Sequence, residues 1–336
     1  MPRARPTMRA LVFTGPAPST SRTKIDEIAV PSPGPGQLSI DVTHAGVNFK
    51  DVMSRRGDAG YVDTWPFIPG LDAAGHVREV GEGVTAVGVG DRVAALTGTG
   101  GLAEVAIADA DLTCPVPAAL DLRRAAAAPG ALVTAALLVE HIGRLRGGER
   151  VLVHGATGGV GRAVARLARL SGAGLVLGTT GSPSRAVPTS SLGYDAIEVR
   201  GPGLAERIRE RTGGDGIDVV LDPQGSALLS LDMEVAAPGA RIVVFGNATG
   251  APFAALPPLG QLFAANVSIA GFSLAALAAT APTRVTAALA QVLQHLATGV
   301  LDVDIQTVDG LAGAPAAQQA LAEGRAPGKQ VVDVMS

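Results

Sequence analysis

The chain has 336 residues, of which 47% are hydrophobic and 17% are charged, and its formal net charge is −3 at pH 7. This length suits two domains, and the apolar content excludes a globally disordered chain. Because the sequence contains no basic block, we expect no nucleic-acid partner. The single cysteine, Cys114, excludes an intramolecular disulfide and a zinc site built from several cysteines.

No apolar run reaches about 18 residues without a glycine or polar interruption, so we expect no membrane-spanning segment. The opening sequence MPRARPTMRA is basic, but no apolar segment follows it, which argues against a secretory signal. We therefore expect a soluble, cytoplasmic protein. Cys114 stands between a predicted strand and a proline, where we expect a small core residue rather than a nucleophile.

The first third of the chain is rich in turns and short strands. After a Pro/Gly turn, Leu38, Ile40 and Val42 alternate with other residues, as in a half-buried strand. Further short β-type segments between glycines follow as far as Cys114. The pattern predicts a small, partly closed β-domain over residues 1–122.

Ala- and Leu-rich runs replace this pattern after Asp121, a candidate helix N-cap. The predicted order is then strand Arg150–His154, helix Gly159–Ser171 and strand Leu175–Thr179, followed by two more helix and strand pairs. Alternation of this kind predicts a doubly wound parallel sheet, a Rossmann unit over residues 123–262. We expect residues 263–336 to rejoin the β-domain, so that the Rossmann unit is an insertion.

The sequence GATGGVG lies between the first strand and the first helix of the Rossmann unit. Glycines there allow the backbone to approach a pyrophosphate, and the helix N-terminus offers free N–H groups. The alternative is a tight turn that holds no ligand. Because strand, helix and second strand all fall where the dinucleotide fingerprint requires them, we predict a dinucleotide site formed by Gly155, Ala156, Thr157, Gly158, Gly159, Val160 and Gly161.

The end of the second strand indicates which dinucleotide binds. NAD-selective folds place Asp or Glu there, about 20 residues beyond the glycines. This chain has LGTTGSPSR instead, and a guanidinium can bind a 2′-phosphate through two hydrogen bonds. We therefore predict NADPH as the cofactor, with Thr179, Thr180, Ser182 and Arg185 as its phosphate-side residues. The alternative for Arg185 is a solvated side chain on a loop.

Several motifs together resemble the medium-chain dehydrogenase/reductase superfamily over nearly the whole chain. They are HAGVNFKDVMSRRG, PFIPGLDAAGHVREVGEGV, GDRVAAL, VLVHGATGGVGRAVARLAR, DVVLDPQG, ARIVVFGNATG and GKQVVDV. Within the superfamily, the chain is similar to the zinc-free branch of quinone oxidoreductases, acryloyl-CoA reductases and polyketide enoyl reductases. The resemblance implies a GroES-like catalytic domain around the Rossmann domain, and a homodimer joined through a strand at Ser268 and Ile269.

The metal-ligand positions of the zinc members are changed in this chain. Zinc alcohol dehydrogenases carry a Cys where this chain has Asn48, and a His-Glu pair where it has Leu71 and Asp72. Catalytic zinc needs three protein ligands from His, Cys, Asp or Glu, and Leu71 cannot be one of them. We therefore predict no metal.

Loss of the Lewis acid favours a conjugated carbonyl as the substrate, because hydride addition then yields an enolate that hydrogen-bond donors can hold. The predicted function is NADPH-dependent hydride transfer to an α,β-unsaturated carbonyl, either an enone or an enoyl thioester, or to a quinone. Two alternatives remain. One is a tailoring reductase of secondary metabolism with a complex substrate, and the other is a non-catalytic NADPH-binding structural or sensing protein.

Three residues are candidates for catalysis: Asn48, Tyr61 and Asp51. The Asn48 amide could donate to a substrate oxygen, or it could be a buried amide that caps a turn. Tyr61 could donate a proton or line the pocket. An internal ion pair with Lys50 or surface charge would explain Asp51 equally well.

The resemblance also places several residues near the nicotinamide and its ribose. These are Thr134, Phe245, Gly246, Asn247, Gly271 and Phe272. The two phenylalanines could equally be core aromatics.

Overall fold

The computed structural model describes residues 7–181, 190–326 and 328–336. Its strands in chain order are β1 Thr7–Phe13, β2 Thr23–Ala29, β3 Gln37–Gly46, β4 Asp72–Val80, β5 Arg92–Leu96, β6 Val105–Asp109, β7 Thr113–Pro115, β8 Arg150–His154, β9 Leu175–Thr180, β10 Ala196–Val199, β11 Ile217–Asp222, β12 Ala236–Val244, β13 Ser268–Gly271, β14 Ile305–Asp309 and β15 Lys329–Asp333. Its α-helices are α1 Phe49–Arg56, α2 Leu122–Ala125, α3 Val133–Leu137, α4 Gly159–Leu170, α5 Leu204–Arg211, α6 Leu229–Val235, α7 Leu259–Ala265, α8 Leu274–Thr280, α9 Pro282–Ala297 and α10 Gly310–Ala322.

The chain forms two compact units. The first consists of the chain up to Val133 together with Leu274–Ser336, and the second consists of Thr134–Ser273. The prediction of a parallel α/β unit inserted into a β-rich unit is confirmed. Both boundaries lie further along the chain than those we expect from the sequence, 122/123 and 262/263.

The first unit is built on a seven-stranded sheet in the order β14-β15-β3-β4-β5-β7, with β6 also paired to β3, and on a separate β1-β2 ribbon. All pairs are antiparallel except β14 with β15. Leu38, Ile40 and Val42 of β3 are fully buried, as their alternation predicts, while Asp41 faces solvent. Cys114 is also buried, as we expect of a core residue, and burial raises the pKa of its thiol to about 11.

The second unit is a six-stranded parallel sheet in the order β10-β9-β8-β11-β12-β13. The predicted strand Arg150–His154 is found unchanged as β8. Helix α4 ends one residue earlier than predicted, and β9 ends one residue later. The chain moves outward in one direction from β8 to β10 and in the other from β11 to β13, so the switch point of the sheet lies between β8 and β11.

The strand Ser268–Gly271 belongs to the second unit. From the sequence we expect it in the C-terminal part of the β-domain, as a dimer strand. In the structure it pairs in parallel with β12 and forms the edge of the Rossmann sheet. The helix α7 immediately before it continues the alternation of helix and strand, and this alternation places β13 in the parallel sheet.

No helix in the described part of the chain combines the length and the apolar character needed to cross a bilayer.

Candidate functional site

The loop between β8 and α4 has the geometry of a phosphate-binding turn. Gly155 has a φ of 71°, which favours glycine. A Cβ at Gly161 would lie 2.5 Å from the carbonyl oxygen of Gly155 and 2.7 Å from that of Ala156. Helix α4 begins at Gly159 without a side-chain cap, so its first N–H groups are directed at the space where an anion can bind. The loop lies at the switch point, where sheets of this kind bind dinucleotides.

Several of the predicted cofactor residues lie together at the carboxyl ends of the parallel strands, which we call the carboxyl edge of the sheet. Phe245 directly follows β12 and Phe272 directly follows β13, at the same end of the sheet as the glycine loop after β8. Gly246 packs against Pro223, since a Cβ added at Gly246 would lie 3.1 Å from the carbonyl oxygen of Pro223. Asn247 uses its amide within its own loop: it donates to Ala251 and accepts from Thr249. Thr134 is buried within α3.

Thr179 turns its hydroxyl into the protein interior, and Thr180, the next residue, is also buried. Their side chains are 0% and 1% exposed. The Thr179 hydroxyl lies 2.6 Å from Nδ1 of His154, whose Nε2 lies 2.8 Å from a carboxylate oxygen of Asp232. This buried chain of polar groups occupies the hydroxyl that we expect at the cofactor phosphate. Ser182 and Arg185 lie outside the described residues.

Arg200 is a candidate phosphate ligand that the sequence reasoning missed. It directly follows β10, the neighbour of β9, and its backbone N–H donates to the carbonyl of Thr180 at 2.8 Å. Its guanidinium lies over Gly181, where an added Cβ would be 2.6 Å from Nη2.

The Arg200 guanidinium makes no hydrogen bond or ion pair with any other described residue. Burial lowers its pKa, and the charge of Asp222 opposes this effect. A cation beside the end of β9 whose donors are unused by the described residues is suited to a phosphate on the adenosine ribose. The signal in the sequence is an arginine after the next strand, which is a neighbour only once the sheet has formed.

In the first unit, Asn48 is the N-cap residue of α1 and its side chain is held at both ends. Its Nδ2 donates to Asp72 at 2.9 Å and to the carbonyl of Gly46 at 3.3 Å. Its Oδ1 accepts from Nζ of Lys329 at 2.7 Å. The amide therefore belongs to an internal network, as in the buried-amide alternative, although its bond to Gly46 is long.

Asp72 and Lys329 form a buried ion pair beside Asn48, with Nζ 2.8 Å from the carboxylate and side chains that are 0% and 3% exposed. The ammonium also donates to the carbonyl of Val47 at 3.2 Å. We call Asn48, Asp72 and Lys329 the Asn48 cluster. Sequence reasoning missed Lys329, because it lies 257 residues from Asp72.

The Asn48 cluster does not fit a zinc ion. Leu71 offers no donor atom, and the Lys329 ammonium already bonds both Asn48 and Asp72. A zinc ion there would face a fixed positive charge with neither thiolate nor imidazole to bind it. Among the described residues, no group of three or more His, Cys, Asp or Glu side chains is arranged to hold a metal.

Asp51 braces α1 and is not an accessible acid. Its carboxylate accepts from the backbone N–H groups of Asn48 at 2.8 Å and Gly70 at 3.1 Å, and it is 2% exposed. Burial raises the pKa of Asp51 to about 6, although the bond from Asn48 acts in the opposite direction. Lys50 is not its ion-pair partner: Nζ donates to the carbonyl of Gly98 at 2.7 Å, and burial lowers the Lys50 pKa.

Tyr61 is partly exposed, and its hydroxyl makes no hydrogen bond within the described residues. Burial raises its pKa, and the nearby charge of Asp58 adds to this effect. The side chain is therefore a neutral phenol at physiological pH, which can donate a proton. Both roles that we expect for Tyr61, proton donor and pocket lining, are compatible with this placement.

Comparison with protein-family models gives two matches. The model described as alcohol dehydrogenase GroES-like domain matches residues 34–118, and the model described as zinc-binding dehydrogenase matches residues 159–294.

Individual proteins match over longer stretches. The quinone oxidoreductase of Rattus norvegicus is 36% identical over 242 residues, which are 71% of this chain and 73% of that protein. A mycocerosic acid synthase-like polyketide synthase of Mycobacterium tuberculosis is 32% identical over 306 residues, 90% of this chain but 14% of the synthase. The structure of mycobacterial Rv1454c complexed with NADPH aligns with a TM-score of 0.88 at 29% identity, covering 97% of this chain and 99% of that one.

Asp51 should make the stability of the protein depend on pH. Its pKa is raised from 3.8 to about 6 on folding, so the folded chain holds the proton more tightly than the unfolded chain. The free energy of unfolding should therefore fall as the pH rises through this interval, with Asp51 contributing at most about 3 kcal/mol. Urea unfolding at a series of pH values should show a shallower decline for Asp51→Asn than for the wild type. Equal slopes for the two proteins would contradict this role of burial.

Proposed function

Because the chain belongs to the quinone oxidoreductase branch of the medium-chain dehydrogenase/reductase superfamily, we propose that it is a zinc-independent, NADPH-dependent reductase of a conjugated carbonyl or a quinone. The observation that carries the proposal is the donor set around Asn48, in which Leu71 and the Lys329 ammonium leave no site for zinc. The relatives support it: the rat protein is named a quinone oxidoreductase, and the mycobacterial structure contains NADPH.

The second unit would hold the cofactor at the carboxyl edge of its sheet. The glycine loop after β8 would bind the pyrophosphate through backbone N–H groups, and Arg200 would bind the 2′-phosphate. Phe245 and Phe272, after the next strands of the sheet, would flank the nicotinamide end. When bound, NADPH would supply a hydride to the β-carbon of the substrate; the C=C electron pair would then form the double bond between the α-carbon and the carbonyl carbon, and the C=O pair would move to the oxygen as an enolate.

The first unit supplies the groups that such a reaction needs in place of a metal. A hydrogen-bond donor must hold the enolate oxygen, and an acid or a water must protonate the α-carbon. The Asn48 N–H that makes the long bond to Gly46 is suited to exchange that carbonyl for the enolate oxygen. Tyr61, a neutral phenol whose hydroxyl has no partner among the described residues, is suited to supply the proton. A quinone would take up the same hydride and proton to give the hydroquinone.

We also propose that two copies associate through the edge of the Rossmann sheet. Strand β13 pairs only with β12 among the described residues. The preceding helix α7 has no buried residue, and its Leu259 and Phe263 side chains are 80% and 83% exposed. A free strand edge beside large exposed apolar side chains needs a cover. A second copy would cover both features with the same surface.

The proposed reaction is tested by NADPH oxidation with a panel of quinones, enones and enoyl thioesters. We expect turnover with at least one class. Tyr61→Phe should lower kcat roughly 100- to 10,000-fold if the phenol donates the proton. Asp63→Asn is the matched control, because Asp63 is an exposed residue of the same loop. NADPH binding without turnover of any substrate would overturn the proposal and favour a sensing or structural protein.

Arg200 should determine the preference for NADPH over NADH. Arg200→Ala removes hydrogen bonds between charged groups, so NADPH affinity should fall roughly 10- to 100-fold while NADH affinity stays nearly constant. Arg209→Ala is the matched control, because this arginine lies on α5 and pairs with Glu234. Fluorescence titration with both nucleotides measures the effect. If Arg185→Ala alone changes the preference, Arg185 holds the 2′-phosphate and the role of Arg200 is refuted.

The dimer proposal predicts a change in mass in solution. Sedimentation should give two chains per particle for the wild type and one for Leu259→Ser/Phe263→Ser, because the variant removes the apolar cover beside β13. Val89→Ser is the control, since Val89 is 67% exposed in the first unit. A monomeric wild type, or a dimeric double variant, would refute this interface.

A further inference from the structure

We propose that Lys329 is a positioning residue for the Asn48 amide: its buried ammonium decides which end of that amide can reach the substrate oxygen. The inference rests on the proposed reduction of a conjugated carbonyl or quinone, and it assigns a role to a residue at the start of the last strand, β15.

The Lys329 ammonium has no donor left for a substrate. Its three N–H groups meet three acceptors: the carbonyl of Val47 at 3.2 Å, Oδ1 of Asn48 at 2.7 Å and Oδ2 of Asp72 at 2.8 Å. The side chain is 3% exposed. Lys329 therefore acts through its neighbours and does not contact the reacting atoms.

The charges on either side of Asn48 determine the direction of its amide. The carbonyl end faces the Lys329 ammonium, and the NH₂ end faces the Asp72 carboxylate at 2.9 Å. The reversed amide would place N–H groups against the ammonium and an oxygen against the carboxylate, and both contacts would be repulsive. The second N–H then points at Gly46, where its 3.3 Å bond is the weakest of the network and the easiest to exchange.

Two glycines leave the space that this arrangement needs. A Cβ at Gly46 would lie 2.3 Å from Oδ2 of Asp72 and 2.9 Å from Nζ of Lys329. A Cβ at Gly130 would lie 2.6 Å from Oδ1 of Asp72 and 3.2 Å from Oδ1 of Asn48. The two glycines therefore approach the Asn48 cluster closely, and its ion pair is shielded from solvent, which strengthens the electrostatic preference for one amide orientation.

A purely structural ion pair between β15 and β4 would have different consequences. Lys329→Met alone would leave Asp72 as an unpaired buried charge, and the chain could unfold for that reason. Lys329→Met/Asp72→Asn, which we call the charge-free variant, removes both charges together and keeps the side-chain volumes similar. If the ion pair is purely structural, this double variant should lose activity only to the extent that its free energy of unfolding falls. A positioning role predicts a folded protein whose Asn48 amide no longer has a fixed direction.

The kinetic test is a cycle of Lys329→Met/Asp72→Asn, Asn48→Ala and the triple variant. We expect the charge-free variant to retain its NADPH affinity and to lose roughly 10- to 100-fold in kcat, as a misplaced group does. Asn48→Ala should lose a similar factor, and the triple variant should lose no more than either, because both changes remove the same interaction. Lys24→Met/Asp26→Asn is the control, a surface pair with N···O 2.7 Å and side chains 53% and 43% exposed. Unchanged kcat in the charge-free variant, or losses that multiply in the triple variant, would overturn the proposal.

A second readout does not depend on activity, so it separates this inference from the proposed function. The chain contains three asparagines, Asn48, Asn247 and Asn266, so ¹⁵N labelling of asparagine gives a simple side-chain amide spectrum. The wild-type Asn48 signal is identified by its absence in Asn48→Ala. Because Asp72→Asn adds a fourth side-chain amide, the Asn48 signal of the charge-free variant is identified by its absence in the triple variant. We expect its amide protons to exchange slowly with solvent in the wild type and at least tenfold faster in the charge-free variant. Equal exchange in the two proteins would overturn the role of Lys329, whether or not any substrate is reduced.

Discussion

A lysine ammonium buried against a carboxylate organises the first unit of this protein. Removing two charges from water costs several kcal/mol for each ion unless hydrogen bonds satisfy both groups. Lys329 meets this requirement with three acceptors, and Oδ2 of Asp72 accepts from both Lys329 and Asn48, while its buried Oδ1 has no hydrogen-bond partner among the described residues. The contacts of Lys329 join β15 to β4 and to the residues that begin α1. The same requirement explains the glycines at 46 and 130, because any side chain there would enter the space of the charged pair.

This pair also supports the proposal that the family fold operates here without a metal. A zinc site concentrates positive charge among negative or neutral ligands, whereas this site already contains a fixed cation that bonds two of the relevant residues. The charge leaves one amide N–H of Asn48 in a weak bond to Gly46. In the proposed reaction, this weakly held donor beside a buried ion pair would stabilise the enolate oxygen by a directed hydrogen bond, without a Lewis acid.

In the second unit, the common direction of the strands is the decisive constraint. Because every strand is parallel, the residues after β8, β10, β12 and β13 all emerge at one edge, although they are far apart in the chain. The hydroxyl of Thr179 is turned away from this edge into a buried network with His154 and Asp232. We therefore propose that the guanidinium of Arg200, which follows the neighbouring strand and lies at the end of β9, recognises the cofactor phosphate in place of these hydroxyls.

Local physics alone determined much of this protein from its sequence. Apolar runs and glycine positions predicted β8, α4 and β9 to within a residue, because strand and helix periodicity and the glycine turn act over a few neighbouring residues. The change at Leu71 excluded a metal ligand by chemistry alone. The tertiary structure decided the rest: the membership of β13, the inward turn of Thr179, and the placement of Arg200 and Lys329. These depend on strand order and on contacts across as many as 257 residues, which no local pattern encodes and which exist only once the sheets have formed.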